Sequence, residues 1–189
     1  LISALLDKVD KIIIGGGMTY TLLKSQGVTI GKSILEADQV DAMKDLLARA
    51  GDKIVLPGDH VCTDDFDDGA PLANDDVNIP DDLMGMDIGP KTIEAFKQIV
   101  TGAKTIIWNG PMGVFEKADY AAGTQAVAQA LASATDAGAV TVIGGGDSAA
   151  AVEQMGLDDR MTHVSTGGGA SLTYLEGKGM GPIEVLDQK

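Results

Sequence analysis

Three times in this sequence an apolar run ends in three consecutive glycines and passes into helix-forming residues. The runs are Ile12-Ile13-Ile14-Gly15-Gly16-Gly17-Met18, Val142-Ile143-Gly144-Gly145-Gly146-Asp147-Ser148-Ala149 and Val164-Ser165-Thr166-Gly167-Gly168-Gly169-Ala170-Ser171. Glycine lets a backbone turn sharply and lets a ligand approach with no side chain in the way. The free N–H groups at the start of the following helix attract an anion such as phosphate. In an open α/β sheet all these turns fall at the carboxyl ends of the strands, the edge where ligands bind.

The rest of the chain agrees with that frame. Short apolar runs rich in Ile and Val lie at Lys11 to Ile14, Lys53 to Leu56, Thr105 to Trp108, Ala139 to Ile143 and, more weakly, Thr162 to Ser165. Their composition predicts strands buried on both faces. Between them, Val40, Met43, Leu46, Leu47 and Ala50 share one helical face, as do Ile93, Phe96 and Val100, and less strictly Tyr120, Val127, Ala130, Leu131 and Ala134. Strand–helix alternation predicts a three-layer α/β/α parallel sheet, Rossmann-like, with right-handed crossovers.

Composition narrows the partners. The 189 residues are 44% hydrophobic, which supports a packed core and argues against disorder. Lys and Arg number 14 against 28 Asp and Glu, a net charge of −14 that argues against a general nucleic-acid footprint or docking on anionic lipid. No run approaches the 18 apolar residues of a membrane span, and no signal segment is evident. The lone Cys62 allows no intrachain disulfide and fits a reducing, cytoplasmic setting. The first residue is Leu1 and the chain opens in the middle of an amphipathic pattern, so a fragment is expected. Between Gly58 and Asp87 stand ten acidic residues and no Lys or Arg, which reads as a long solvated surface excursion. Its spacing does not match the Asp-x-Asp-x-Asp-Gly loop of an EF-hand.

Several ligand chemistries can be weighed against the glycine turns. A Walker loop fails, because Gln26 stands where the first glycine should precede Gly31-Lys32-Ser33. A dinucleotide-dependent oxidoreductase is formally possible through Gly144, Gly146 and Ala149, but no acidic residue ends a strand about twenty residues later to meet a ribose. Asp147 inside the loop would repel a pyrophosphate unless a metal bridged them, and a Mg²⁺ held by Asp147 and phosphate oxygens resolves the conflict. Asp147 also suits a helix N-cap. A third reading is a non-catalytic, acidic cation-binding module built on Asp59 to Asp87. Trp108, His163, Met84 and Met86 read as structural, and His60, Cys62 and Asp64 offer too few ligands for a convincing zinc site.

Five blocks carry a resemblance: Ile13 to Tyr20 (IIGGGMTY), Leu83 to Thr92 (LMGMDIGPKT), Ile107 to Glu116 (IWNGPMGVFE), Val142 to Val152 (VIGGGDSAAAV) and His163 to Leu172 (HVSTGGGASL). In this order the sequence resembles the C-terminal, nucleotide-binding part of the phosphoglycerate kinases. The resemblance implies phosphoryl transfer between 1,3-bisphosphoglycerate and Mg-ADP, giving 3-phosphoglycerate and ATP. It implies that adenine lies against Gly15, Gly16 and Gly17 with Gly85 on its other side. Asn109 and Pro111 would flank phosphate and ribose, and Glu116 would take the ribose hydroxyls. Gly145, Gly146, Asp147 and Ser148 would hold the phosphate tail and the Mg²⁺, with Asp147 the metal ligand, while Gly168 and Gly169 would donate N–H groups to the phosphoryl group in flight.

The resemblance also defines what residues 1–189 lack: the N-terminal phosphoglycerate-binding domain with its basic patch and catalytic arginine, and the first strand of this domain. Arg49 and Arg160, the only arginines, match no active-site arginine. The expectation is one incomplete lobe of a two-lobed, monomeric kinase that works by hinge closure, binding Mg-nucleotide weakly alone and not turning over.

Overall fold

The computed structural model describes residues 2–165, 167, 176 and 177. All five apolar runs contain strands. β1 (Ile12–Ile13) and β2 (Ile54–Val55) pair in parallel, Ile12 beside Ile54 and Ile13 beside Val55. Further along, β6 (Thr105–Asn109), β7 (Val140–Gly144) and β8 (His163–Ser165) form a second parallel sheet in that order. Its register sets Asn109 beside Gly144 and Gly144 beside Ser165, so the strand ends are level where the glycine turns begin. Thr141 and Thr162 tie β7 to the start of β8, each backbone N–H donating to the other's Oγ1 at 3.0 and 3.1 Å.

Helices cover these strands. The first are α1 (Ile2–Leu5), α2 (Met18–Ser25) and α3 (Val40–Ala50), the last ending at Gly51, whose φ of +58° suits only a residue without Cβ. α4 (Pro90–Gly102) starts with proline at its first turn, where no N–H is missed, and buries Thr92, Phe96 and Val100 at intervals of four. α5 (Ala122–Asp136) starts after a short 3₁₀ turn that holds Tyr120, so Tyr120 precedes the helix rather than lying on its face. α6 is Gly146–Gln154. Phe96, Val100, Trp108, Ala128, Leu131, Ile143 and Val152 meet in the largest core cluster, with Ile13 and Val55 packed against it. Among the described residues no helix is long and apolar enough to cross a membrane.

The mixed α/β architecture with parallel sheets is as expected; three details differ. The parallel strands come in two pieces, with no hydrogen-bonded ladder between β1 and β6 among the described residues. The strands are not uniformly buried: β6 alternates, and Ile107 is 45% exposed while its neighbour Trp108 lies in the core. The acidic stretch is not a simple solvated excursion. It folds into an antiparallel sheet, β4-β3-β5, from β3 (His60–Thr63), β4 (Leu72–Asn74) and β5 (Met84–Ile88), with a bulge between Val61 and Cys62. Two of its aspartates, Asp59 and Asp87, are buried because each accepts hydrogen bonds from the start of a helix.

Candidate functional site

Two of the three glycine turns lie among the described residues, and the turn after β6 stands between them. Gly16 has a φ of +65° and donates its N–H to Met112 O at 2.9 Å. A Cβ on Gly15 would lie 2.5 Å from Met112 Sδ, and one on Gly16 would lie 2.9 Å from Pro111 O. The first glycine turn therefore rests directly on the Asn109–Met112 turn, and only glycine permits that approach. On the opposite side Gly110, at φ +96°, donates its N–H to Ser148 Oγ at 2.7 Å. Gly145, at φ +100°, brings its Cα against the Asn109 side chain and donates its N–H to Ser165 O at 3.2 Å. Gly15, Gly16, Asn109, Pro111, Gly145 and Ser148 are thus drawn to one strand edge.

Asp147 is exposed in the first turn of α6, one residue past Gly146. It is not the N-cap, which is Gly145, and that residue makes no side-chain cap bond. The start of α6 therefore keeps its N–H groups free of any carboxylate acceptor from the described chain. The starts of α4 and α5 do not. Asp59 accepts from Lys91 N–H at 2.9 Å, Thr92 N–H at 2.8 Å and Thr92 Oγ1–H at 2.5 Å. Asp87 accepts from Gly123 N–H at 2.7 Å and from its neighbour Ile88 N–H at 2.9 Å. Burial pushes the Asp87 carboxyl up to about 6, against the pull of those two N–H donors.

Gly85 lies in β5, its N–H donated to Ser33 Oγ at 2.9 Å, and a Cβ there would overlap the Tyr20 ring. Tyr20, on α2, thus fills the space beside Gly85, and its burial pushes its hydroxyl far above the ordinary range. A Cβ on Gly17 would lie 3.2 Å from Ile34 Cγ2, and Met18 and Ile34 are 51% and 67% exposed. Glu116 is exposed in the segment after β6, where Val114 N–H donates to Met86 O at 2.9 Å. Lys117 does not pair with Glu116; it reaches the carbonyls of Phe66 and Asp67. Gly168 and Gly169 lie outside the described residues. Trp108 sits in the core as expected, whereas His163 is exposed on β8.

Three contributors were not singled out from the sequence. Asn109-Gly110-Pro111 reads as a turn after a strand, but the bond from Gly110 to Ser148 has no local signal. Met112 gives backbone and sulfur to the first glycine turn, and nothing local marks it. Asp87 was one acid among ten. His60 and Cys62 are buried and Asp64 exposed, so the three do not converge. Among the described residues no group of three His, Cys, Asp or Glu could hold a metal by itself. Mg²⁺ asks for less: one or two carboxylates suffice when phosphate and water supply the other ligands, and an exposed Asp147 beside open helix N–H groups fits that role.

Parallel strands with flanking helices and glycine turns gathered at their carboxyl edge define a Rossmann-like α/β protein. The chain belongs to the phosphoglycerate kinase family: the family model described as "Phosphoglycerate kinase" matches residues 1–178. Relatives named phosphoglycerate kinase from Oenococcus oeni and Clostridium novyi are 52% and 54% identical over 189 and 193 aligned residues, covering 100% of this chain but 47% and 48% of theirs. Among solved structures, a phosphoglycerate kinase from Coxiella burnetii superposes with a TM-score of 0.91 at 40% identity, covering 99% of this chain and 49% of that one. One from Pyrococcus horikoshii gives 0.82 at 28% identity, covering 98% and 47%. The chain thus spans about half the length of the relatives it matches.

Proposed function

We propose that this chain is the C-terminal, nucleotide-binding half of an enzyme that moves a phosphoryl group between 1,3-bisphosphoglycerate and Mg-ADP, yielding 3-phosphoglycerate and ATP. The observation that carries this reading is the contrast among helix starts. α4 and α5 are closed by buried aspartates, while no side chain among the described residues caps α6, whose start lies at the edge where Gly15, Asn109 and Gly145 converge. A phosphate chain fits there, since helix N–H groups and dipole both favour an anion.

Gly145, Gly146 and Ser148 hold the phosphates, and Asp147 holds a Mg²⁺ that neutralises the charge building on them. Gly168 and Gly169 complete the donor set. Met18, Ile34 and the Gly15–Gly17 backbone offer an apolar face to the base, with Gly85 and Tyr20 beyond, and Glu116 meets the ribose. Phosphoryl transfer asks a protein mainly for positioning and charge stabilisation, which this edge supplies. The second substrate belongs to the other half of the enzyme, with hinge closure excluding water. On this reading a first strand, not among residues 1–189, would lie between β1 and β6, which share no ladder among the described residues while the turns after them touch. The whole enzyme works as a cytoplasmic monomer, and residues 1–189 alone do not turn over.

Calorimetry with ADP and Mg²⁺ on residues 1–189 and on Asp147→Ala tests the reading. The unsubstituted chain binds Mg-ADP. The variant loses most of the Mg²⁺-dependent increment, roughly tenfold or more, with stability within about 0.5 kcal/mol because the side chain is exposed. Equal Mg-ADP binding by both would remove Asp147 from the metal site. Tight metal-free NAD binding would favour an oxidoreductase instead.

A further inference from the structure

The acidic loop between β3 and β4 has no part in the site described above, yet it is built to hold something. Thr63 Oγ1 donates to Asp65 O at 2.8 Å, Gly69 N–H donates to the same carbonyl at 3.1 Å, and Asp67 N–H donates to Asp65 Oδ1 at 2.9 Å. Any Cβ at Gly69 would overlap Thr63 Oγ1, so the loop closes this tightly only with glycine there. The carbonyls of Phe66, Asp67 and Gly69 are taken instead by two side chains of the segment after β6, Lys117 and Tyr120. Lys117 Nζ donates to Phe66 O and, at 3.1 Å, to Asp67 O, while lying 4.5 Å from the centroid of the Phe66 ring. Tyr120 donates its hydroxyl to Gly69 O at 3.0 Å.

These contacts matter for the residue just before Lys117. Glu116 sits between two anchors. Val114, two residues upstream, donates to Met86 O on β5. Lys117, one residue downstream, is held by the loop, and Tyr120 N–H donates back to Lys117 O at 2.9 Å. With both anchors in place, only Phe115 and Glu116 lie between fixed points.

We propose that the loop Thr63–Gly69 is a brace for the segment after β6 and that Lys117 is the positioning residue that fixes where the Glu116 carboxylate stands. Its consequence for ligand binding rests on the nucleotide-site reading given above. In that reading Glu116 faces the ribose, so the brace sets how strongly the sugar hydroxyls contribute to affinity. Lys117 touches no substrate. Its Nζ acts through the backbone, by denying the 113–121 segment the alternative positions that would carry Glu116 away.

Two measurements on residues 1–189 separate the brace from the site. Hydrogen exchange without ligand reads the brace alone: Lys117→Met should speed exchange at the Val114, Lys117 and Tyr120 amides by about tenfold, and Lys117→Arg should restore protection, since about 1.4 kcal/mol of local stability corresponds to a factor of ten. Unchanged exchange in Lys117→Met overturns the brace. Calorimetry with Mg-ADP and with Mg-2′,3′-dideoxy-ADP reads the consequence. Lys117→Met should weaken ADP about fivefold and leave the dideoxy analogue, which has no sugar hydroxyls to meet Glu116, within about twofold, as loss of one charge-assisted contact would. Equal weakening of both nucleotides overturns Lys117 as a positioning residue. Failure of the unsubstituted chain to bind either nucleotide overturns the reading of the site, while the exchange data still decide the brace.

Discussion

The antiparallel acidic sheet and the glycine edge of the parallel sheets face the same chemical problem with opposite outcomes. Both abut helix starts, and each helix start exposes backbone N–H groups that require an acceptor. In the acidic sheet the acceptor is built in. Asp59 closes α4 and Asp87 closes α5, while Asp65 and Asp76 take N–H groups of their own turns. At the glycine edge Gly145, the residue capping α6, has no side chain, and no described carboxylate reaches over it. An acid placed inside such an arrangement stabilises the protein; a helix start left open is a place for another molecule's anion. The same contrast separates Asp59 from Asp147, chemically identical side chains near the starts of two helices.

That contrast breaks most sharply at Asp59. Asp59→Ala removes the carboxylate that accepts from the part-buried Lys91 N–H and from the buried Thr92 N–H and hydroxyl. Unfolding in urea should show a loss of about 3–4 kcal/mol, against no appreciable change for Asp147→Ala. Similar losses for the two would erase the distinction.

Asp87 sharpens it through pH. Burial lifts its carboxyl from 3.8 to about 6, so between those values the folded chain keeps a proton that the unfolded chain has released. Its contribution to stability is therefore present at low pH and lost as pH rises through about 6. His60, on the adjacent strand, runs the other way: burial lowers its imidazole from 6.5, so the folded chain refuses a proton and stability is lost as pH falls below 6.5. The two partly cancel. The stability of the unsubstituted chain relative to Asp87→Asn should fall by about 1–3 kcal/mol from pH 4 to pH 7. A difference independent of pH would mean that the carboxylate is solvated.

At the glycine edge a smaller effect on folding than that of Asp59→Ala is expected from Gly145. Gly145→Ala forces a side chain into φ +100° with Asn109 Nδ2 3.2 Å away, at a cost of about 1–2 kcal/mol. On the proposed reading of the site, Mg-ADP affinity should nevertheless fall more than tenfold, because the displaced turn is the one proposed to donate to the phosphates. Unaltered binding would move the phosphate site elsewhere.

Legibility in the sequence divided along the same line. The strands of the parallel sheets and the faces of α3 and α4 were readable because each depends on local periodicity: Val40 to Ala50 and Ile93 to Val100 repeat at helical spacing. The glycine turns were readable because glycine has few other reasons to recur after an apolar run. The antiparallel sheet was not readable. β4 is Leu72-Ala73-Asn74, largely exposed, and β5 holds a glycine and an aspartate within five residues, so neither shows the alternation of a strand. The burial of Asp59 is decided by Thr92, 33 residues away, and that of Asp87 by Gly123, 36 residues away. A local pattern holds no trace of partners at that distance, and ten acids without a base look like solvated surface until those partners are seen. Gly110 and Met112 escaped for a related reason: their roles come from contact with turns that follow other strands.

The caps on α4 and α5 have a direction along the chain. Each buried aspartate precedes the helix it serves, Asp59 before Lys91 and Thr92, Asp87 before Gly123. During synthesis from the N-terminus, the carboxylate has left the ribosome before the amides it will accept. Neither cap bond therefore depends on later sequence for its acceptor. The acidic segment that looked like idle surface is, in the order of translation, the foundation laid before the helices that stand on it.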